Sequence, residues 1–258
     1  MTQLILSLIC GIFIGATAGY LGTLMLEKRM VLVAGPLGHL ALPGVALALI
    51  YGFDMSLGAF PFIILGVILI WLLEAKTKLP MEALTAITFA SGVAIAFLFL
   101  PIEQAETALV GNIMEVSFWE VIFTLILCFL VFLITKKIFS KMVLINIFED
   151  LAKAEGIDVK KYNFLYLLCI AIVVALSVRL VGGLLTAALF AIPVSTSRNF
   201  SRNMRQYSFL APFLGIIAVI VGIFLFKLTS LSVGPLVILT STLFFSISLI
   251  FKRKKIAD

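Results

Sequence analysis

Charge is scarce in this sequence, and so are the residues on which soluble chemistry depends. Only 12% of its 258 residues are Asp, Glu, Lys or Arg, and histidine occurs once, at His39. Soluble domains carry about 25% charged residues. That shortage, with 63% apolar residues and a mean hydropathy of +1.25, excludes a soluble enzyme, a disordered chain and a nucleic-acid-binding module. Cysteine is also sparse. Cys10, Cys128 and Cys169 lie in apolar runs, are odd in number and form no Cys-x-x-Cys pair, so neither a disulfide framework nor a zinc site is indicated. There is no Walker-type glycine loop to cradle a nucleotide phosphate. No carboxylate stands at the middle of an apolar run. Glu74, Glu82, Glu120 and Arg179 all fall within a turn or two of a predicted helix end, where an interfacial anchor is the ordinary role. Proton- or sodium-coupled carriers place such groups deep in the membrane. Energy for uphill movement must then come from another chain. A multi-chain pump is favoured, with a secondary carrier as the alternative.

What is present is length in apolar segments. Crossing about 30 Å of hydrocarbon takes roughly 20 apolar residues in a helix. Nine segments approach or reach this length, near 4–26, 30–51, 57–73, 81–100, 117–135, 163–181, 183–197, 208–226 and 232–251. The seventh is short, so eight spans and a partial helix also fit. The expected fold is an all-α, polytopic membrane bundle of eight to nine helices, with residues 1–258 forming one transmembrane domain. The opening MTQLILSLICG has no basic residues before its apolar run, so it reads as a first span and not a cleaved signal. Placing Glu27-Lys28-Arg29 in the cytoplasm puts 17 of the 19 Lys and Arg residues on that side, with Arg179 and Lys227 outside it. This bias predicts an outer N-terminus and a cytoplasmic C-terminus. Asp54, Glu103, Glu106 and Glu115 fall in the outer loops.

Glycine and proline punctuate three spans. Gly11, Gly15 and Gly19 share one helix face and let a second backbone come close, either within the chain or at a subunit interface. The second span is broken by Gly35, Pro36, Gly38, Pro43 and Gly44, with His39 inside the break. The seventh begins at Gly182-Gly183 and contains Pro193, followed by Ser195, Thr196 and Ser197. Irregular backbone at membrane depth must be buried in protein or line a cavity. Broken helices in both halves of a transporter often line its path. These two are either such a lining or packing kinks. His39 is either a ligand for a divalent transition metal or a side chain hydrogen-bonded to a neighbouring helix.

The longest polar stretch is 136–162. Within it, Glu149 to Glu155 has acids in its first turn and Gly156 as a stop, predicting a two-turn helix with a small Ala152/Ala154 surface. It is either a solvated surface helix or a device for docking on a cytoplasmic motor domain.

Four motifs now stand in order: the Gly19-Tyr20-Leu21-Gly22 to His39 and Pro43-Gly44-Val45 region, Glu149–Ile157, Val178–Arg198, and Val233-Gly234-Pro235. Together they resemble the permease subunits of bacterial ABC importers for zinc, manganese or iron. The third is the most specific, being similar to that family's Val-Gly-x-Leu-Leu to Ile-Pro-Ala-Ala-Thr-Ala signature. The resemblance implies a second permease copy, cytoplasmic ATP-binding subunits and an extracytoplasmic solute-binding protein. It implies a metal ion as cargo, with no cofactor bound by this chain. It also implies metal contact at His39 and coupling to the ATPase through Glu149, Asp150, Ala152, Ala154 and Gly156. One departure is plain. The family usually has an Asp four residues before the motif histidine, and here that residue is Gly35, followed by Pro36. Alternatives are an importer for another solute, such as a metal chelate, or a membrane scaffold.

Overall fold

The computed structural model describes residues 2–28, 30–53, 55–77, 79, 81–99 and 116–250. Arg29, Asp54, Lys78, Glu103, Glu106, Glu115 and 252–255 lie outside the described residues, as do the side chains of Glu82 and Arg179. Every described element is helical. In chain order these are α1 (Thr2–Glu27), a 3-10 turn (Val31–Val33), α2 (Ala34–Leu40), α3 (Leu42–Tyr51) and α4 (Met55–Thr77). Then come α5 (Met81–Phe99), α6 (Phe118–Ile147), α7 (Glu149–Ala154), α8 (Val159–Phe200), α9 (Met204–Thr229) and α10 (Val233–Ile250).

Among the described residues, six helices are long and apolar enough to cross a bilayer: Gln3–Glu27, Leu57–Glu74, Phe118–Ile147, Val159–Val178, Met204–Thr229 and Val233–Ile250. The other three expected segments are helical but differently built. Pro36 and Pro43 divide 30–51 into the short helices α2 and α3. Within α5 the apolar stretch is Ala83–Ala94. The seventh segment continues α8 beyond a single non-helical residue, Gly182, at φ 79° and ψ 162°.

That residue reverses the chain. The Lys28 ammonium donates to the Asn163 side-chain oxygen, while Arg198 lies 3.9 Å from the carboxylate of Glu27. Asn163 and Arg198 would stand about 50 Å apart along one straight helix. Both reach the same end of α1, so 159–181 and 183–200 run back along each other from Gly182. A positive φ is costly for residues with a Cβ and open to glycine.

α1 is the central post. A Cβ on Gly15 would lie 2.9 Å from the Gly215 carbonyl, and one on Gly19 only 2.6 Å from that of Ala211, so the glycine face of α1 meets α9 backbone to backbone. The glycine stripe is used inside the chain. On another side Tyr166 of α8 donates its hydroxyl to the Leu21 carbonyl at 2.8 Å. Without a hydrophobic force between helices in lipid, such close packing and hydrogen bonding hold the bundle together.

α6 is longer than its expected span. Thr135, Ile138, Met142 and Ile145 are buried at helical spacing, so the apolar face of α6 extends through the first part of 136–162. At its other end the Ser117 N–H donates to the Glu120 carboxylate at 2.9 Å. Glu120 thus caps the helix that it was expected to anchor.

Candidate functional site

The break in the second span follows from its two prolines. A helix would give the Leu32 and His39 carbonyls an N–H donor four residues later, and Pro36 and Pro43 have none. The chain therefore passes through a 3-10 turn, α2 and α3, joined at Ala41. α3 closes on Gly52 at φ 71°.

The structure brings the two breaks together. A Cβ on Gly38 would lie 2.7 Å from the Gly183 carbonyl, and one on Gly183 2.9 Å from that of Gly38. Beside them a Cβ on Gly35 would meet the Ala187 side chain at 3.3 Å. The Thr186 hydroxyl donates to the Gly182 carbonyl at 2.7 Å and so satisfies an oxygen at the reversal. Leu40 is held between α4 and α5, with its two methyl groups packed on Gly66 and Gly92. Gly44 of α3 and Gly58 of α4 touch backbone to backbone.

The residues singled out in the breaks divide into two groups. Gly44, Gly182, Gly183 and Pro193 are buried within the bundle, while Gly35, Pro36, His39 and Pro43 are only partly buried. The first group lets helices meet, and the second reaches a surface of the chain. The imidazole of His39 lies 5.2 Å from the Phe89 ring of α5, centroid to centroid, and has no hydrogen-bond partner among the described residues. Among those residues no three His, Cys, Asp or Glu gather into a group able to hold a metal ion.

The 149–157 segment forms at the end of α1 that carries Lys28. After Ala154 the chain turns through Gly156 at φ 76°. There the Gly156 N–H donates to the Lys153 carbonyl and the Ile157 N–H to that of Ala152, each at 3.0 Å. This pair of bonds is a Schellman stop. One expectation needs correction: Ala152 and Ala154 do not share a surface. Ala152 is fully buried against the bundle, while Ala154 is exposed. The free face carries Phe148 and Leu151, 61% and 49% exposed, with Glu149 and Asp150. The i, i+3 spacing of Phe148 and Leu151 within a polar tract is the sequence signal for this exposed apolar face. Lys153 holds Glu149 at 2.8 Å, and that carboxylate pushes the Lys153 ammonium up from its ordinary range.

Lys28 ties this end together and was not singled out from sequence. Its ammonium donates to Asn163 at 2.5 Å. Burial pushes its pKa down, while the carboxylates of Glu74 and Glu149 push it back up. Asn163→Leu is expected to destabilise the chain by about 1 kcal/mol, since a partly buried donor loses its acceptor. Lys28→Met, which removes the charge along with the need for a partner, should cost less. Thermal unfolding in detergent compares the two, and a larger loss for Lys28→Met would mean that the ammonium is itself a net source of stability.

The chain is similar to the manganese import system permease protein ScaB of Streptococcus parasanguinis, at 29% identity over 96% of this chain and 90% of that one. It is similar to the high-affinity zinc uptake system membrane protein ZnuB of Buchnera aphidicola, at 24% identity over 93% and 94%. Among solved structures, PsaBC from Streptococcus pneumoniae in complex with Fab matches with a TM-score of 0.85 and 27% identity, over 99% of this chain and 94% of that chain. Residues 1–252 match the ABC 3 transport family, and the chain belongs to that family.

Proposed function

We propose that this chain is the membrane-spanning permease of an ABC importer for a divalent transition metal ion: manganese, zinc or iron(II). The observation that carries this is the likeness, over nearly the whole chain, to permeases named for manganese import and zinc uptake. Two copies form the translocation path. Two ATPase subunits dock beneath, on the 149–156 segment, and an extracytoplasmic solute-binding protein delivers the ion from above. ATP is hydrolysed in the partner subunits. Closure of that motor moves the docked segments and switches the side to which the path opens.

Within the path, His39 touches the passing ion beside the break formed by Gly35, Pro36, Pro43 and Gly44. The partly buried imidazole, without a hydrogen-bond partner among the described residues, supports this role. A single imidazole holds an ion weakly, which suits a route that must release what it accepts. His39→Ala is expected to lower metal accumulation about tenfold, by analogy with the loss of groups around a metal. His39→Gln should be intermediate at best, with assembly of the complex unchanged. Elemental analysis of cells lacking other importers reads the outcome. Wild-type accumulation in the Ala variant would reduce His39 to a packing residue.

The membrane arrangement proposed is nine crossings, with the N-terminus outside and the C-terminus in the cytoplasm. The reversal at Gly182 supports two crossings within α8, and the basic residues near Glu27, Asn163 and Arg198 gather at one end. Cysteines introduced at Thr2 and Asp258 test the sidedness. An impermeant thiol reagent added to intact cells should label position 2 and spare position 258, and the reverse pattern overturns the arrangement.

A further inference from the structure

A lateral groove of about 810 Å³ opens between α6 and α9, away from the two helix breaks. Its origin is topological. α6 and α9 both pack along α1 but make little contact with each other, so α1 forms the floor of a V. The close approach of Gly15 and Gly19 to α9 keeps that floor narrow. Tyr20 rises from it and packs its ring on Phe132 and Phe139 of α6, at 5.0 and 5.6 Å between centroids. The facing wall on α9 carries Phe209 and Phe213, both exposed.

The polar residues lining this groove, besides Tyr20, are two serines, Ser140 and Ser208, and two cations. Lys136 and Arg205 are the charged residues that line it, both are exposed, and none of the lining residues is acidic. Neither cation has an ion-pair partner among the described residues. Arg205 stands in the first turn of α9, and Ile216, the deepest lining residue on that helix, lies eleven residues further on. That distance is about 16 Å of helix, half the thickness of a hydrocarbon core. The groove therefore has two cations without an ion-pair partner among the described residues, Arg205 at the start of α9 and Lys136 within α6, and an aromatic channel running one leaflet deep.

We infer that this groove binds an anionic glycerophospholipid, its phosphate between Lys136 and Arg205 and one acyl chain along the aromatic walls. Basic pockets between membrane helices recognise acidic headgroups in this way. The inference rests on the membrane orientation proposed above only for its leaflet, which is the cytoplasmic one. Two cations that one phosphate can bridge, together with an apolar channel of acyl length, favour a lipid over a free anion or a second protein surface.

The test uses the full-length chain purified in detergent, titrated with phosphatidylglycerol and read by native mass spectrometry. Lys136→Gln with Arg205→Gln is expected to weaken phosphatidylglycerol binding about thirtyfold, from the usual strength of two basic residues at an anionic lipid surface. A charge-matched control, Lys137→Gln with Arg202→Gln, changes exposed residues outside the groove. It should stay within about twofold of wild type. Phosphatidylcholine should bind wild type and groove variant alike. Equal losses in the two double variants, or none in the groove variant, overturn the site. Competition by glycerol phosphate as strong as by the lipid would make it a free-anion site and sink the lipid assignment. Adducts found on the monomer and missing from the dimer would assign the face to a second copy instead. No transport is needed for this measurement. A chain that binds the lipid yet carries no metal would refute the proposed function and leave the groove assignment standing. Reversed labelling of positions 2 and 258 would change the leaflet alone.

Discussion

Metal uptake is expected to collapse when Gly38 is replaced by valine. A Cβ there would lie 2.7 Å from the carbonyl oxygen of Gly183 and 3.3 Å from the Thr186 Cβ. The first obstacle is backbone, in a turn that reverses a helix, and it cannot rotate aside. α2 must then move off 183–200 by a large part of an ångström. Overpacking of this kind costs about 1–3 kcal/mol. The displaced element carries His39, one residue away, so transport should suffer beyond the loss of stability. Accumulation is expected to fall at least about tenfold while the protein still inserts, by the general sensitivity of positioned groups to ångström shifts. Gly35→Ala is the milder comparison in the same break, because its Cβ would meet only the Ala187 methyl, at 3.3 Å, and it should lose less uptake. Cell-based accumulation, normalised to the amount of permease in the membrane, measures both. Full uptake by Gly38→Val would show that close contact of the two breaks is dispensable.

The second large effect is expected at Gly156. Nothing lies within 4 Å of a Cβ built there, so space is not the obstacle. The obstacle is the backbone, at φ +76°. A left-handed conformation costs a residue with a Cβ about 1–2 kcal/mol, and a β-branched one is worse placed still. Gly156→Val would therefore trade away the two 3.0 Å bonds that stop α7 and turn the chain toward Asp158. One to two kcal/mol is a factor of about 5–30 in the population of the native turn. Stimulation of the partner ATPase should drop by a comparable factor. Membrane insertion should not change, because the turn lies outside the long apolar helices. Gly156→Asn, which tolerates a positive φ, should retain most of the coupling. Normal stimulation in a well-expressed valine variant would remove 149–156 from the coupling role.

Much of the fold was legible in the sequence because its signals are local. Apolar length marked the helices, and prolines at 36 and 43 marked where one of them fails, since each removes a backbone donor wherever the chain goes. Gly156 was readable as a stop for the same reason: an allowed φ depends on the residue itself. The glycine face of α1 announced a close approach, though only packing named α9 as its partner.

The rest was decided between residues far apart in the chain. That Gly38 meets Gly183 depends on where the reversal at Gly182 aims the following segment. Ala152 and Ala154 are alike in sequence, and burial separates them because only one points at the bundle. Lys28 looked like one more basic loop residue until Asn163, 135 positions away, became its acceptor. The groove of Lys136 and Arg205 exists because two helices share a neighbour and not each other. Hydropathy and φ preferences are properties of short stretches, and they specify which elements form and where they stop. Which elements touch is settled by the fit of whole surfaces, and in lipid, where apolar residues are equally content facing the membrane or a neighbour, that fit is set by small residues and a few polar contacts in three dimensions.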